Sequence, residues 1–234
     1  DGVAPLAKLD QQRTRRYKSQ YLDNIISKIN KDNAAKWNTT SITPGTQFMK
    51  KLDSTLAEKF FGQKNVMFTG SDVPGEGEHK LFEHLRATKI GENENIIVYG
   101  LDADLIMLGL NHLTYSNNIY LYRETPTYIK SLSETLDKDN DYILDLSKLG
   151  DAIINNMSDN YNKNKMYDYI FLGLMLGNDF MPHFPAINIR TTGIDILLNH
   201  YSATIKSDEN IFDGKQINWK NYRKLVKSLA ENEY

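Results

Sequence analysis

The chain has 234 residues, 40% hydrophobic and 25% charged, with a formal net charge of −2. That length can bury a sizeable core, and the near-zero charge gives no sign of wholesale nucleic-acid binding while leaving local basic patches open. The absence of cysteine excludes disulfides and thiolate metal sites, and no apolar run approaches the roughly 20 residues of a membrane-spanning helix.

Taken in chain order, Asp1 to Pro5 reads as a turn, and the chain, starting at Asp1 rather than Met, reads as a piece of a longer product without a visible signal peptide. Gln11 to Lys31 has helical spacing, with Tyr17, Tyr21, Leu22, Ile25 and Ile29 forming one apolar stripe. Thr43-Pro44-Gly45-Thr46 is a turn and helix start, followed by a helix through about Phe61. Val66 to Thr69 is expected as a short strand. Gly75 to Lys89 is expected as a helix with Leu81, Phe82 and Leu85 on its buried side. Ile96 to Tyr99 is expected as a buried strand closed by the turn Gly100-Leu101-Asp102-Ala103-Asp104, and Leu105 to Leu110 begins the next helix. Ile119 to Tyr122 is expected as a further strand at a sheet edge. Residues 131–141 and 155–165, rich in Asn, Asp, Lys and Ser, are expected as surface loops. Tyr167 to Leu176 reads as a helix ending at Gly177. Strands alternating with helices imply an α/β fold with a mainly parallel central sheet flanked by helices, in a single domain over 1–234.

Four acidic phrases stand at element boundaries: DGVAP with Asp1, EGE with Glu76 and Glu78, LDADL with Asp102 and Asp104, and GNDFMP with Asp179. In an open parallel sheet the carboxyl ends of the strands border the ligand crevice, so Asp102 and Asp104 are expected to project into it. Carboxylates gathered there need cations, and hard oxygen donors suit Mg²⁺ or Mn²⁺. Two such ions about 3.5–4 Å apart serve phosphodiester hydrolysis. Each phrase also has a simpler account. Glu76 and Glu78 fit a helix first turn, with Glu76 pairing Lys80 one turn on. Asp102 fits a helix cap, and Asp179 a turn residue. In a regular helix, residues two apart point about 200° away from each other, so both glutamates can face one site only if Gly75 or Gly77 makes the first turn irregular.

On the first helix, Lys8, Gln12, Arg15 and Arg16 fall within an arc of about 100°. That grouping suits a phosphate, because guanidinium forks match phosphate oxygens bidentately; the simpler account is a solvated basic face. The five histidines show no metal-ligand spacing, and Trp37 and Trp219 read as packing residues rather than base-stacking platforms.

Together, DGVAPLAKLDQQRTRRYKS, PGTQFM, VPGEGEHKLFEHLR, IVYGLDADLIMLGL, LYRE and FLGLMLGNDFMPHFPAINIR resemble the Xrn family of 5′→3′ exoribonucleases in order and over most of the chain. The resemblance implies a PIN-like, flap-endonuclease-related fold. It implies Mg²⁺ or Mn²⁺, as two ions, held by Asp1, Glu76, Glu78, Asp102, Asp104 and Asp179 as catalytic carboxylates. Lys8, Gln12, Arg15 and Arg16 match the family's pocket for the 5′-monophosphate of single-stranded RNA. The implied activity is processive hydrolysis to nucleoside 5′-monophosphates in RNA decay, with no membrane partner. Departures are Leu6 where a basic residue is usual, and the lack of the family's upstream strand with its acidic residue, of its C-terminal remainder, and of the cysteine-bearing zinc knuckle of many nuclear members. The last point favours a cytoplasmic location, with a nuclear one open. Rival readings are a 5′ flap DNA nuclease, an aspartyl-phosphate phosphatase (against which Ile106 stands at the Thr position of DxDxT) and an inactive RNA-binding fragment.

Overall fold

In the computed structural model, residues 2, 4–30, 37–123, 136 and 140–231 are described. Their elements run α1 (Leu6–Asn30), a 3-10 turn (Thr39–Ser41), α2 (Gln47–Phe60), α3 (Gly77–Ala87), β1 (Ile96–Tyr99), α4 (Asp104–Asn111), β2 (Ile119–Arg123), β3 (Tyr142–Asp145), α5 (Leu146–Met157), α6 (Asn164–Met175), a second 3-10 turn (Ile189–Thr191), α7 (Gly193–Thr204) and α8 (Trp219–Glu231). Internal contacts divide the chain into two units, Asp1–Leu81 and Phe82–Tyr234, and the division falls inside α3.

In the first unit, α2 starts where TPGT predicts: Gly45 takes φ +88°, and the Thr46 hydroxyl caps the helix by accepting from the Met49 N–H at 3.3 Å. Asp53 on α2 accepts from both the N–H and the hydroxyl of Ser71, tying the helix to the loop ahead of α3. The apolar stripe of α1 forms but stays in solvent. Tyr17 is 72% exposed and Ile29 72%, because within this unit α1 packs on the Thr39–Ser41 turn alone among its described main partners. The strand expected over Val66–Thr69 is absent among the described residues. Val66 and Met67 are exposed, and no strand pairs with them.

The second unit is built on a three-stranded sheet in the order β1-β2-β3. β1 and β2 pair in parallel, Val98 opposite Leu121, and β2 and β3 pair antiparallel, Tyr122 opposite Ile143. The sheet is therefore small and mixed rather than mainly parallel, and β2 is its central strand rather than an edge. One face carries Val98, Ile119 and Leu121 into a core with Phe82 and Leu85 of α3, Leu105 of α4 and Leu146 of α5. Leu81, expected on that buried side of α3, is exposed. The other face leaves Ile97, Tyr99 and Ile143 exposed, so β1 is buried on one side only. A second core gathers Leu172 and Met175 of α6, Leu197 and Tyr201 of α7, and Leu225 and Leu229 of α8. No described helix is long and apolar enough to cross a membrane.

Candidate active site

Asp1 lies outside the described residues. Gly2 donates its N–H to the Gly75 carbonyl at 2.8 Å, and a Cβ at Gly2 would fall 1.7 Å from the Val73 carbonyl oxygen. Only glycine admits that approach, so the phrases DGVAP and VPGEGE meet backbone to backbone. Gly75 takes φ +98°, a conformation that turns the chain sharply just before the acids. Helix α3 begins at Gly77, so Glu76 stands outside it, and its carbonyl accepts the first helical bond from the Lys80 N–H at 3.1 Å.

The glycine-permitted irregularity thus separates the two glutamates rather than aligning them in one regular helix. Glu76 is 2% exposed and ion-paired with Lys8 at 3.1 Å. The expected partner Lys80 instead donates to the Gly70 carbonyl at 3.1 Å. Glu78 lies in the first turn of α3, half-buried.

The basic face of α1 divides by depth. Lys8 is buried against Glu76, Gln12 and Arg16 are half-buried, and Arg15 is exposed. The Gln12 side-chain oxygen accepts from Arg16 Nη2 at 3.3 Å, and the same nitrogen reaches the Ile42 carbonyl at 3.4 Å. These bonds orient the Arg16 guanidinium, while Lys8 is committed to a carboxylate.

In the second unit, β1 ends into the turn that presents Asp102 and Asp104. Asp102 is exposed and Asp104 half-buried as the first residue of α4. The Asp104 N–H donates to Asp102 Oδ1 at 3.2 Å, so Asp102 holds the first residue of α4 from just ahead of the cap position, Ala103, which has no side-chain cap bond. The bond to Asp104 uses one of the two Asp102 carboxylate oxygens. The donor set of this turn is carboxylate oxygen without imidazole or thiolate, which fits Mg²⁺ or Mn²⁺ and not a soft ion. Asp179 lies half-buried in the loop after α6, where Gly177 takes φ +85° and the Asn178 side chain accepts from the N–H groups of Phe180 and Met181.

One residue of this region escaped the sequence reading. Arg123, the last residue of β2, donates from Nη2 to the Leu101 carbonyl at 2.5 Å. Its signal was the alternation in IYLYR, where Ile119, Leu121 and Arg123 share a face whose first two members are fully buried.

The family described as the XRN 5′-3′ exonuclease N-terminus matches residues 1–125, and the one described as the Xrn1 helical domain matches residues 160–234. The 5′-3′ exoribonuclease 1 of Saccharomyces cerevisiae is 34% identical over 263 residues, covering 100% of this chain and 17% of that protein. The human 5′-3′ exoribonuclease 1 is 32% identical over 231 residues, covering 86% of this chain and 13% of that protein. The 5′-3′ exoribonuclease 2 of Debaryomyces hansenii is 31% identical over 288 residues, covering 100% of this chain and 28% of that protein. The chain thus spans less than a third of the length of each of these relatives. With more than half of its residues inside the first family match, it belongs to the XRN 5′-3′ exonuclease family.

Proposed function

We propose that this chain is the core of the catalytic region of a 5′→3′ exoribonuclease with a PIN-like fold, hydrolysing 5′-monophosphorylated single-stranded RNA to nucleoside 5′-monophosphates. The observation that carries the reading is the Gly100–Asp104 turn. It sets two carboxylates at the carboxyl end of a parallel strand in a chain of this family. Asp102 and Asp104 are the carboxylates of that turn proposed to hold Mg²⁺ or Mn²⁺, with Asp1, Glu76, Glu78 and Asp179 completing the proposed acidic set. Bound there, a divalent cation lowers the pKa of water and stabilises the leaving oxyanion.

The chain's own groups bind and orient. Arg15 and Arg16 hold the oxygens of the terminal phosphate, Gln12 fixes the Arg16 fork, and Lys8 balances the charge of Glu76. A pocket of this kind selects a monophosphate end by size and charge. The test uses the full-length protein with RNA bearing 5′-monophosphate, 5′-hydroxyl or 5′-triphosphate ends, and with a DNA flap of the same sequence. The monophosphorylated RNA is degraded in Mg²⁺ and spared in EDTA. Asp102→Ala loses more than about 100-fold in rate, beyond what losing a residue that merely supports a ligand usually costs, while still binding RNA. Arg16→Ala erases the preference for monophosphate over hydroxyl ends. Full activity in Asp102→Ala, or faster cleavage of the DNA flap than of RNA, overturns the reading.

A further inference from the structure

We propose that Arg123 is a positioning residue that sets the geometry of Asp102 and Asp104 by holding the peptide that leads into Asp102. The inference rests on the metal-binding reading above and adds to it a residue outside the acidic set.

The turn between β1 and α4 has no regular structure from Gly100 to Asp102, and Leu101 is 55% exposed. What fixes it comes from the end of β2. The Gly100 N–H donates to the Tyr122 carbonyl at 3.3 Å, and the next residue along, Arg123, donates from its side chain to the Leu101 carbonyl at 2.5 Å. Gly100 itself is pressed against the start of α4, since a Cβ there would fall 2.3 Å from Leu105 Cδ1. The turn can therefore relax neither toward α4 nor along β1 while both β2 bonds hold. The Leu101 carbonyl belongs to the peptide whose nitrogen is that of Asp102, so the Arg123 bond sets the plane from which the Asp102 side chain springs. Asp104 is fixed to Asp102 in turn through its N–H.

A guanidinium suits this task. Its planar fork loses less freedom per bond than a lysine ammonium does. Its place in the strand also needs an explanation. Arg123, half-buried, follows Ile119 and Leu121 on the face that fills the core, each of those two 0% exposed, and its bond to the Leu101 carbonyl gives the guanidinium a partner at the rim of that face.

Positioning and bare charge predict opposite signs. By Coulomb attraction alone, removing a cation near two carboxylates tightens their hold on a divalent ion. If Arg123 orients the ligands, its removal weakens that hold by about 10-fold, as loss of a ligand's supporting partner commonly does. The experiment titrates Mn²⁺ into the RNA-free full-length protein, with free Mn²⁺ read by electron paramagnetic resonance, for wild type, Arg123→Ala, Arg123→Lys and Asp102→Ala. Arg123→Ala is expected to bind Mn²⁺ about 10-fold more weakly, with Arg123→Lys recovering part of the loss and the 5′-phosphate preference unchanged. Mn²⁺ binding by Arg123→Ala as tight as wild type or tighter, beside weakened binding in Asp102→Ala, overturns the positioning role alone. Unweakened binding in Asp102→Ala overturns the metal site and this inference together. Should the alanine variant not fold, Arg123→Gln carries the test by the same criterion.

Discussion

Lys8 and Glu76 are almost wholly withdrawn from water, with side chains 10% and 3% exposed, and each is tolerable there because of the other. Breaking such a pair is costlier than replacing it, since the remaining charge stays buried without compensation. Lys8→Met is expected to lose about 3–5 kcal/mol in urea unfolding, and Lys8→Met with Glu76→Leu to regain most of it; equal losses in the single and double variants exclude the pairing. The two glutamates and the breaks around them were legible in VPGEGEHKL, but the partner was not, because a lysine at the start of α1 is remote in sequence. His112, one of the five histidines without metal-ligand spacing, is buried at 3% exposure. Its Nδ1 faces the Leu108 carbonyl at 2.6 Å, which can only accept, so Nδ1 carries the proton and Nε2 accepts from Arg86 at 2.8 Å. Burial holds its pKa below the usual imidazole value; the Leu108 bond opposes the shift, and the Arg86 charge adds to it. The unfolded chain therefore takes up a proton that the folded one refuses. Stability is full above about pH 6.5 and declines as pH falls through that value toward the lower folded pKa. Denaturant unfolding from about pH 7.5 to about pH 5.5 should show this decline in wild type and a flatter profile in His112→Asn.

At the scale of elements, local turn chemistry was readable and burial was not. TPGT specifies the α2 start through a glycine turn and a threonine cap, both of which form. The strand Ile96–Tyr99 was read with its exact ends, yet Ile97 and Tyr99 are 60% and 62% exposed. An apolar run looks the same whether one face or both are covered. The same ambiguity put a strand at Val66–Thr69, where apolar residues lack a partner to pair with among the described strands. β3 and α5 were passed over because DYILDLSKLG follows an Asn- and Asp-rich stretch whose residues 137–139 lie outside the description. There a strand runs straight into a helix, and Asp145 closes one and caps the other, its Oδ1 accepting from the Lys148 N–H at 3.0 Å. Asp145→Ala should cost about 1 kcal/mol, the usual worth of such a cap, seen as a lower thermal midpoint. Asp145→Asn should recover most of it. An unchanged midpoint in Asp145→Ala means that α5 draws its stability from Leu146 and Ile154 packing alone.

Across the whole molecule, apolar burial is unevenly shared. Among the described residues, the buried hydrophobic side chains of the first unit are Ala4 and Met49, whereas the second holds two large clusters around Leu121 and Tyr201. The second cluster is reinforced by polar groups that composition could not reveal. Lys165 lies in a stretch read as a surface loop, yet it is 0% exposed. It donates to the Tyr201 hydroxyl at 2.8 Å and to the carbonyls of Lys206 and Glu209 at 2.9 and 2.8 Å. Asp168, equally buried, accepts from the Tyr201 hydroxyl and from the N–H groups of Ile211 and Phe212. These bonds hold the segment after α7 against α6, so opening either helix exposes both a cluster and a charge. α1 is in the opposite position. Its first turns are anchored by the Lys8–Glu76 pair and the Arg16 bond to the Ile42 carbonyl, but the apolar stripe beyond them stays largely in solvent, so from Tyr17 to Ile29 little besides helix propensity resists local opening. Native-state hydrogen exchange separates the two cases. Amides in the middle of α6 and α7 should exchange only through global unfolding, with protection that falls steeply as urea is added. Amides from Tyr17 to Ile29 should exchange through local opening, with weaker protection that urea barely alters. Equal protection and equal urea dependence in α1 and α7 would show instead that the exposed stripe of α1 is covered in solution.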